Sequence, residues 1–168
     1  VAEALAAFGV VAARALAALY RRVEAADCKL LILDAMGQLQ KLCPLSVLKE
    51  AVNCDNDEIR KKAAEIIGIV RPENALELLR PMVVDGDGKI RSAAAAALGQ
   101  IGGEKCYVIL KDMQEKDPDW QVKSTCQAFI SRWENAIQDR VAFDEVDRWL
   151  AENTHPAAAD ETPEKNIG

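Results

Sequence analysis

Histidine, aromatic residues and long apolar runs are scarce in this sequence. Among 168 residues there is one histidine, His155, and aromatic residues make up 5% of the chain. A Ser-His-Asp triad needs a histidine between its partners, and a zinc site needs clustered cysteine and histidine, so neither is expected. The stretch Gly99–Lys105 lacks the GxxxxGK[ST] spacing of a phosphate-binding loop. We therefore expect no metal, no cofactor and no enzymatic activity.

The sequence also lacks a candidate membrane span and paired cysteines. No run of about 18 uncharged apolar residues is present, so we expect no contact with a membrane. An odd number of dispersed cysteines without a CxxC pair is typical of free, mostly buried thiols in a reducing compartment. We therefore expect a cytoplasmic protein. The five cysteines are Cys28, Cys43, Cys54, Cys106 and Cys126.

Negative charge is concentrated at the C-terminal end. The net charge of the chain is −6. Residues 144–168 hold seven acidic and two basic residues, a net of −5, which leaves residues 1–143 at −1. Affinity for nucleic acid depends on basic residues that neutralise phosphates, so a nearly neutral body argues against a nucleic-acid partner. The polar, proline-containing residues 154–168 are expected to form a disordered acidic tail.

One acidic stretch, Asp85-Gly86-Asp87-Gly88-Lys89-Ile90, looks like the middle of a calcium-binding EF-hand loop. Such a loop needs an oxygen ligand at position 1 and a bidentate glutamate at position 12. Those positions would fall on Val83 and Ala94, which supply neither. The stretch is therefore better interpreted as a turn that leads into the alanine-rich helix after it.

The same pattern recurs along the chain. A basic residue stands at Lys29, Arg60, Arg91 and Lys123, with steps of 31, 31 and 32 residues. A fixed period of this length indicates a solenoid. Each period holds two apolar segments at helical spacing, separated by an Asp-rich turn, which predicts an all-α array of antiparallel helix pairs. We call the two members of each pair the first and the second helix.

The periods predict a domain organisation. Residues 1–143 should form about four helix pairs, of which the first is incomplete because the chain begins inside a repeat. We therefore expect a fragment of a longer array. Residues 144–153 should form a C-terminal capping helix, because an array needs an end with a polar outer face. Gly37, Gly68 and Gly99 recur near the end of each second helix, where glycine either permits a close helix crossing or stops the helix.

The unit from Asp85 to Gly102 resembles the short bacterial-type HEAT repeat, named in part for phycobilisome lyases. The resemblance is good over residues 55–102, fair over 117–133 and weak over 1–43. It implies a right-handed α-solenoid in which a turn aspartate and the basic residue form a hydrogen-bonded ladder between repeats. By this resemblance the ladder pairs are Asp57 with Arg60, Asp87 with Arg91, and Asp119 with Lys123.

The resemblance leaves three kinds of function open. The first, which we favour, is a scaffold that binds a protein partner or another domain of a longer parent chain through the second helices. The second is a chromophore-handling protein similar to bilin lyases. The third is a HEAT-like nucleic-acid-binding protein or DNA glycosylase. The possible partner surface consists of Lys61, Lys62, Glu65, Ser92, Gln100, Trp120 and Ser124.

Another HEAT-type family, the deoxyhypusine hydroxylases, holds a di-iron centre in repeated His-Glu pairs. The single histidine in the tail excludes that arrangement here. Oligomeric state stays open at this point.

Overall fold

The computed structural model of the chain describes the backbone of residues 2–153 and the side chains of residues 8–40, 42–141, 144 and 145. This part of the chain is all-α, without a strand, and confirms the predicted solenoid of helix pairs. The described residues up to 133 form one compact unit, and those from 134 onward belong to a second. The helices are α1 (Ala2–Arg22), α2 (Ala26–Gln38), α3 (Leu45–Val52), α4 (Asp57–Val70), α5 (Ala75–Val83), α6 (Gly88–Ile101), α7 (Glu104–Lys116) and α8 (Trp120–Asn153).

The acidic stretches are turns that start the second helices. The carboxylate of Asp85 accepts a hydrogen bond from the Asp87 backbone N–H at 2.9 Å, and Asp87 caps α6 by accepting from the Lys89 N–H at 2.8 Å. Asp117 and Asp119 repeat both bonds at the start of α8, each at 2.8 Å. Aspartate suits both positions because its short side chain bonds to backbone N–H groups two residues on. The turn therefore needs no bound ion.

Small residues bring consecutive second helices close together. Ala64 of α4 and Ala95 of α6 are completely buried, and α4 packs against both α2 and α6. A Cβ atom added to Gly68 would lie 3.0 Å from the Cα of Ala97, and one added to Gly99 would overlap the ring of Phe129. Of the two roles open to the recurring glycines, the structure shows the close crossing for Gly68 and Gly99.

The N-terminal helix differs from the prediction. The sequence predicts the end of a second helix followed by a new first helix, whereas α1 is one continuous helix of 21 residues. Alanines stand on either side of Gly9, at Ala6, Ala7, Ala12 and Ala13, and their high helix propensity carries the helix through it. A short 3₁₀ turn, Gln40–Leu42, then follows α2.

At the other end, the predicted capping segment 144–153 lies within the long helix α8, without a boundary at residue 144. The predicted tail, residues 154–168, lies outside the described residues.

Candidate functional site

The strongest link between repeats joins Arg91 of α6 to Asp117 in the turn before α8. The guanidinium donates two parallel hydrogen bonds, from Nε to Oδ2 at 2.7 Å and from Nη2 to Oδ1 at 2.9 Å. Its Nη1 donates to the carbonyl of Asp85 at 2.8 Å. Arginine fits this site because its planar fork matches a carboxylate. The two side chains are 12% and 5% exposed, so water screens the pair weakly.

The preceding link, made by Arg60 of α4, is looser. Its Nη2 donates to Asp57 at 2.7 Å, and Asp57 is 60% exposed. Its Nη1 donates to the carbonyl of Cys54 at 2.8 Å. The carboxylate of Asp85 lies 3.3 Å from Nε, but Nε makes no hydrogen bond of good geometry.

Of the three pairs named from the sequence, Asp57 does accept a hydrogen bond from Arg60, within one repeat. Asp87 and Asp119 are instead N-caps of their own helices. Across the repeat boundary, Asp117 accepts the hydrogen bonds of Arg91, and Asp85 forms an ion pair with Arg60. Lys123, the residue equivalent to Arg91, donates to the carbonyl of Glu115 at 3.1 Å. The D-x-D spacing of the turns before α6 and α8 indicates this second role, across the repeat boundary, because Asp85 and Asp117 each stand two residues before an N-cap.

The hydrogen bonds from Arg91 hold the pKa of the Asp117 carboxyl below its usual range, against the opposing effect of burial. The same bonds raise the pKa of Arg91. Both shifts favour the charged pair. The arrangement supports a structural role for the pair, because its hydrogen-bonding groups are turned to one another and to backbone carbonyls.

The exposed side of the second helices forms a face that we call the inner face, comprising the exposed side chains of α2, α4, α6 and residues 120–133 of α8. Lys62 connects two helices there: its Nζ lies 3.2 Å from Asp34 of α2 and 2.9 Å from Glu65 of α4. The hydrogen bond with Glu65 raises the pKa of Lys62. Lys61 lies 3.9 Å from Glu58. Positive and negative groups therefore alternate over this part of the face.

Toward α8 the side chains of the inner face are smaller and uncharged. Ser92 and Thr125 share a hydrogen bond of 2.9 Å between α6 and α8. Gln100 is exposed, and its side chain covers Gly68. Trp120 is 73% exposed and stands four residues before the exposed Ser124, so the two lie on one side of α8. All seven residues of the predicted partner surface thus belong to second helices, and Trp120 is the most exposed apolar group among them.

The space on the inner face between α2 and α4, beside Lys62 and Glu65, holds about 120 Å³. Within the described residues no group of three or more histidine, cysteine, aspartate or glutamate side chains is placed to hold a metal ion. His155 lies outside those residues. The described side chains therefore do not fit a di-iron centre built from repeated His-Glu pairs.

The cysteines are free, and three of them, Cys43, Cys106 and Cys126, are buried. Burial raises the pKa of Cys43 and of Cys126 to about 11. A thiol with so high a pKa is a poor nucleophile near neutral pH, so these groups serve as small apolar side chains of the core. In the part of the chain that the structure covers, no helix is both long and apolar enough to cross a membrane.

Two curated relatives, both named deoxyhypusine hydroxylase, are similar to part of this chain. The protein from Debaryomyces hansenii is 28% identical over 96 residues, which are 55% of this chain and 31% of the relative. The protein from Candida albicans is 28% identical over 97 residues, 55% of this chain and 30% of the relative. The chain spans about a third of the length of these relatives. No solved structure matches the chain.

These relatives contradict the expectation that the chain has no enzymatic activity, because both carry the name of an enzyme. The expectation rested on missing motifs, and a missing motif excludes only the reactions that use it.

The repeat itself is matched directly. Residues 45–130, which run from α3 into α8, match the family described as HEAT repeats. That match covers just over half of the chain and includes both links made by Arg60 and Arg91. It agrees with the helix pairs, the buried alanines and the Asp-rich turns of the structure. The chain belongs to the HEAT-repeat family.

Proposed function

We propose that this protein binds a protein partner, or another domain of a longer parent chain, through its inner face. The observation that carries the proposal is Trp120, an indole that is 73% exposed and lies in line with the exposed Ser124. Tryptophan is enriched among the residues that dominate binding energy at protein interfaces. Its exposure in the free chain leaves a large apolar surface for a partner to cover.

The shape of the inner face favours a macromolecule over a small ligand. Ligand pockets commonly enclose about 300–1,000 Å³. The space of about 120 Å³ beside Lys62 is below that range. The helices around it are joined side by side through glycine and alanine, so the face is broad and shallow, as in other solenoids that bind extended partners.

The charges of the inner face favour a protein over nucleic acid. Lys61 and Lys62 each lie within 4 Å of a carboxylate. A nucleic-acid surface needs a stripe of basic groups free to replace counterions. Mixed and paired charges instead match the polar surroundings of a protein interface. The chromophore-handling alternative has no feature of its own in this surface.

The relatives raise a second candidate, the hydroxylation of deoxyhypusine that their name describes. The similarity over about 96 residues supports it. The described residues supply no group that fits the metal centre of that family, so we derive no chemical step. A cytoplasmic location belongs to our proposal as well, and five free cysteines support a reducing compartment.

The test is affinity capture with the full chain as bait, read by mass spectrometry of the eluted proteins. Trp120→Ala and Lys61→Glu alter the inner face, and Lys49→Glu makes the same charge change on the exposed side of α3. We expect a stoichiometric partner that Trp120→Ala reduces about tenfold or more, and that Lys49→Glu retains. A partner captured equally by all three variants would refute the proposed surface.

A further inference from the structure

A second surface lies among the first helices, away from the inner face. α3 packs against α5, whereas a groove separates α5 from α7. The groove holds about 590 Å³, well above the space on the inner face. Its apolar lining comes from both helices and includes Leu76, Leu79, Val83, Val108, Ile109 and Met113.

The groove is open to solvent and apolar at its mouth. Val84 at the end of α5 is 79% exposed, and Val108 on α7 is 60% exposed. Single exposed valines are ordinary on a protein surface. These two stand on opposite walls of one groove, above buried leucine and methionine side chains, so they extend the core to the surface as a continuous apolar strip.

The walls determine what kind of chain the groove accommodates. Both walls are α-helices, whose backbone N–H and C=O groups are already paired within each helix. An extended peptide would bury its own backbone N–H and C=O groups against aliphatic side chains, without hydrogen-bond partners, which is unfavourable. A helix pairs its own backbone and presents side chains alone. The chemistry of the walls therefore selects a helical occupant.

Charged side chains stand at the rim of the groove, where it opens to solvent. Glu77 and Arg80 of α5 are exposed beside the groove, and within the described residues neither forms an ion pair. Asp112 on the α7 side is already paired with Lys116. Among the described residues that line the groove, the charges left for an occupant are thus the carboxylate of Glu77 and the guanidinium of Arg80, one helical turn apart on the same wall.

We propose that the groove between α5 and α7 docks an amphipathic helix of another protein. The occupant has an apolar stripe at positions i, i+3 or i+4, and i+7, with a basic residue opposite Glu77 and an acidic residue opposite Arg80. This site is distinct from the inner face, because its walls are first helices.

A displayed library of 16-residue helices tests this proposal with the full chain. Leucine, isoleucine, valine or phenylalanine occupies the stripe positions, and the flanking positions vary freely. We expect enrichment of helices with a base and an acid one turn apart. Val108→Asp should weaken the enriched helices at least tenfold, and Val11→Asp should leave binding unchanged. Val11 is the matched control, a valine that is 63% exposed on α1, outside both the groove and the inner face.

Reversing a rim charge provides a second measurement. Arg80→Glu should weaken an enriched helix about fivefold, and exchanging the acid of that helix for lysine should restore binding. Circular dichroism establishes that each variant is folded. The proposal is overturned if no helix is enriched or if Val108→Asp binds as well as the unaltered chain. It is also overturned if the chain associates with itself through the groove, seen as a dimer in light scattering that Val108→Asp disperses.

Discussion

Replacing Arg91 with methionine should show how much the link between α6 and α8 contributes to the free energy of unfolding. Methionine keeps much of the aliphatic stem and removes the fork. It leaves the Asp117 carboxylate, 5% exposed, without its cationic partner, and it leaves the carbonyl of Asp85 without the donor at 2.8 Å. Breaking a buried pair in this way costs about 3–5 kcal/mol. We expect the lower end of that range, because Asp117 keeps the hydrogen bond from the Asp119 N–H.

Urea unfolding followed by circular dichroism measures this cost, and Arg60→Met is the matched control one repeat earlier. Arg60 pairs with Asp57, which is 60% exposed, so that pair is worth at most about 1 kcal/mol, and its ion pair with Asp85 at 3.3 Å has no hydrogen bond from Nε. The lost bond to the Cys54 carbonyl adds about 1 kcal/mol. We therefore expect Arg60→Met to destabilise the protein less than Arg91→Met does. Equal costs, or the reverse order, would refute the argument from burial.

The pH dependence of the unfolding free energy independently tests whether the Arg91–Asp117 pair stabilises the folded state. The folded-state pKa of Asp117 is lowered, so its contribution to stability is present above the unfolded-state pKa of about 3.9. That contribution is lost as the pH falls through the lower folded-state pKa. In Arg91→Met the carboxyl no longer has the cation that favours its charged form. The difference in unfolding free energy between the two proteins should therefore be largest at pH 7 and should shrink toward pH 3.

Three further outcomes follow from the geometry. Gly99→Ala should destabilise the protein by about 1–3 kcal/mol, because its Cβ would overlap the ring of Phe129. Gly37→Ala should cost little, because the nearest atom to its Cβ lies at 3.4 Å, and thermal unfolding compares the two variants. Arg71→Gly should stabilise by about 1 kcal/mol in urea unfolding, because Arg71 has a φ of 51°. In a mass-spectrometric time course with a thiol reagent, Cys28 should react in the native protein and Cys126 only on unfolding.

Periodicity in the sequence predicts the fold because each repeat encodes its own turn, cap and buried alanines within one period. Asp87, for example, is an N-cap for reasons confined to its neighbours. The ladder is different, because Arg91 contacts Asp117, 26 residues later, instead of Asp87, four residues earlier. A period shows that such residues recur, and it does not show toward which neighbour a forked side chain points. That choice depends on how the helices stack.

The candidate surfaces are likewise predictable only in part, because the sequence places residues on a helix and does not give the contacts between helices. Alignment of the repeats placed Lys62 and Ser124 on the exposed side of their helices, and both lie on second helices in the structure. The pairing of Lys62 with Asp34 depends on the spacing between helices, which alignment does not contain. The sequence does not predict the groove between α5 and α7, for a related reason. Val108 has an apolar side chain at helical spacing, and only the separation of the two helices makes it a surface residue.

The link between Arg91 and Asp117 also bears on how such a chain can change length during evolution. If the repeats are counted as units that end at an arginine, Arg60 and Arg91 each close one unit. The aspartate that each of them contacts lies in the following unit. If residues 61–91 were deleted, Arg60 would take the place of Arg91 in front of Asp117, and the preceding residues would be unchanged. A duplication with the same boundaries would insert one more arginine together with one more acceptor. Recombination at these points adds or removes a whole unit and preserves the joint on either side.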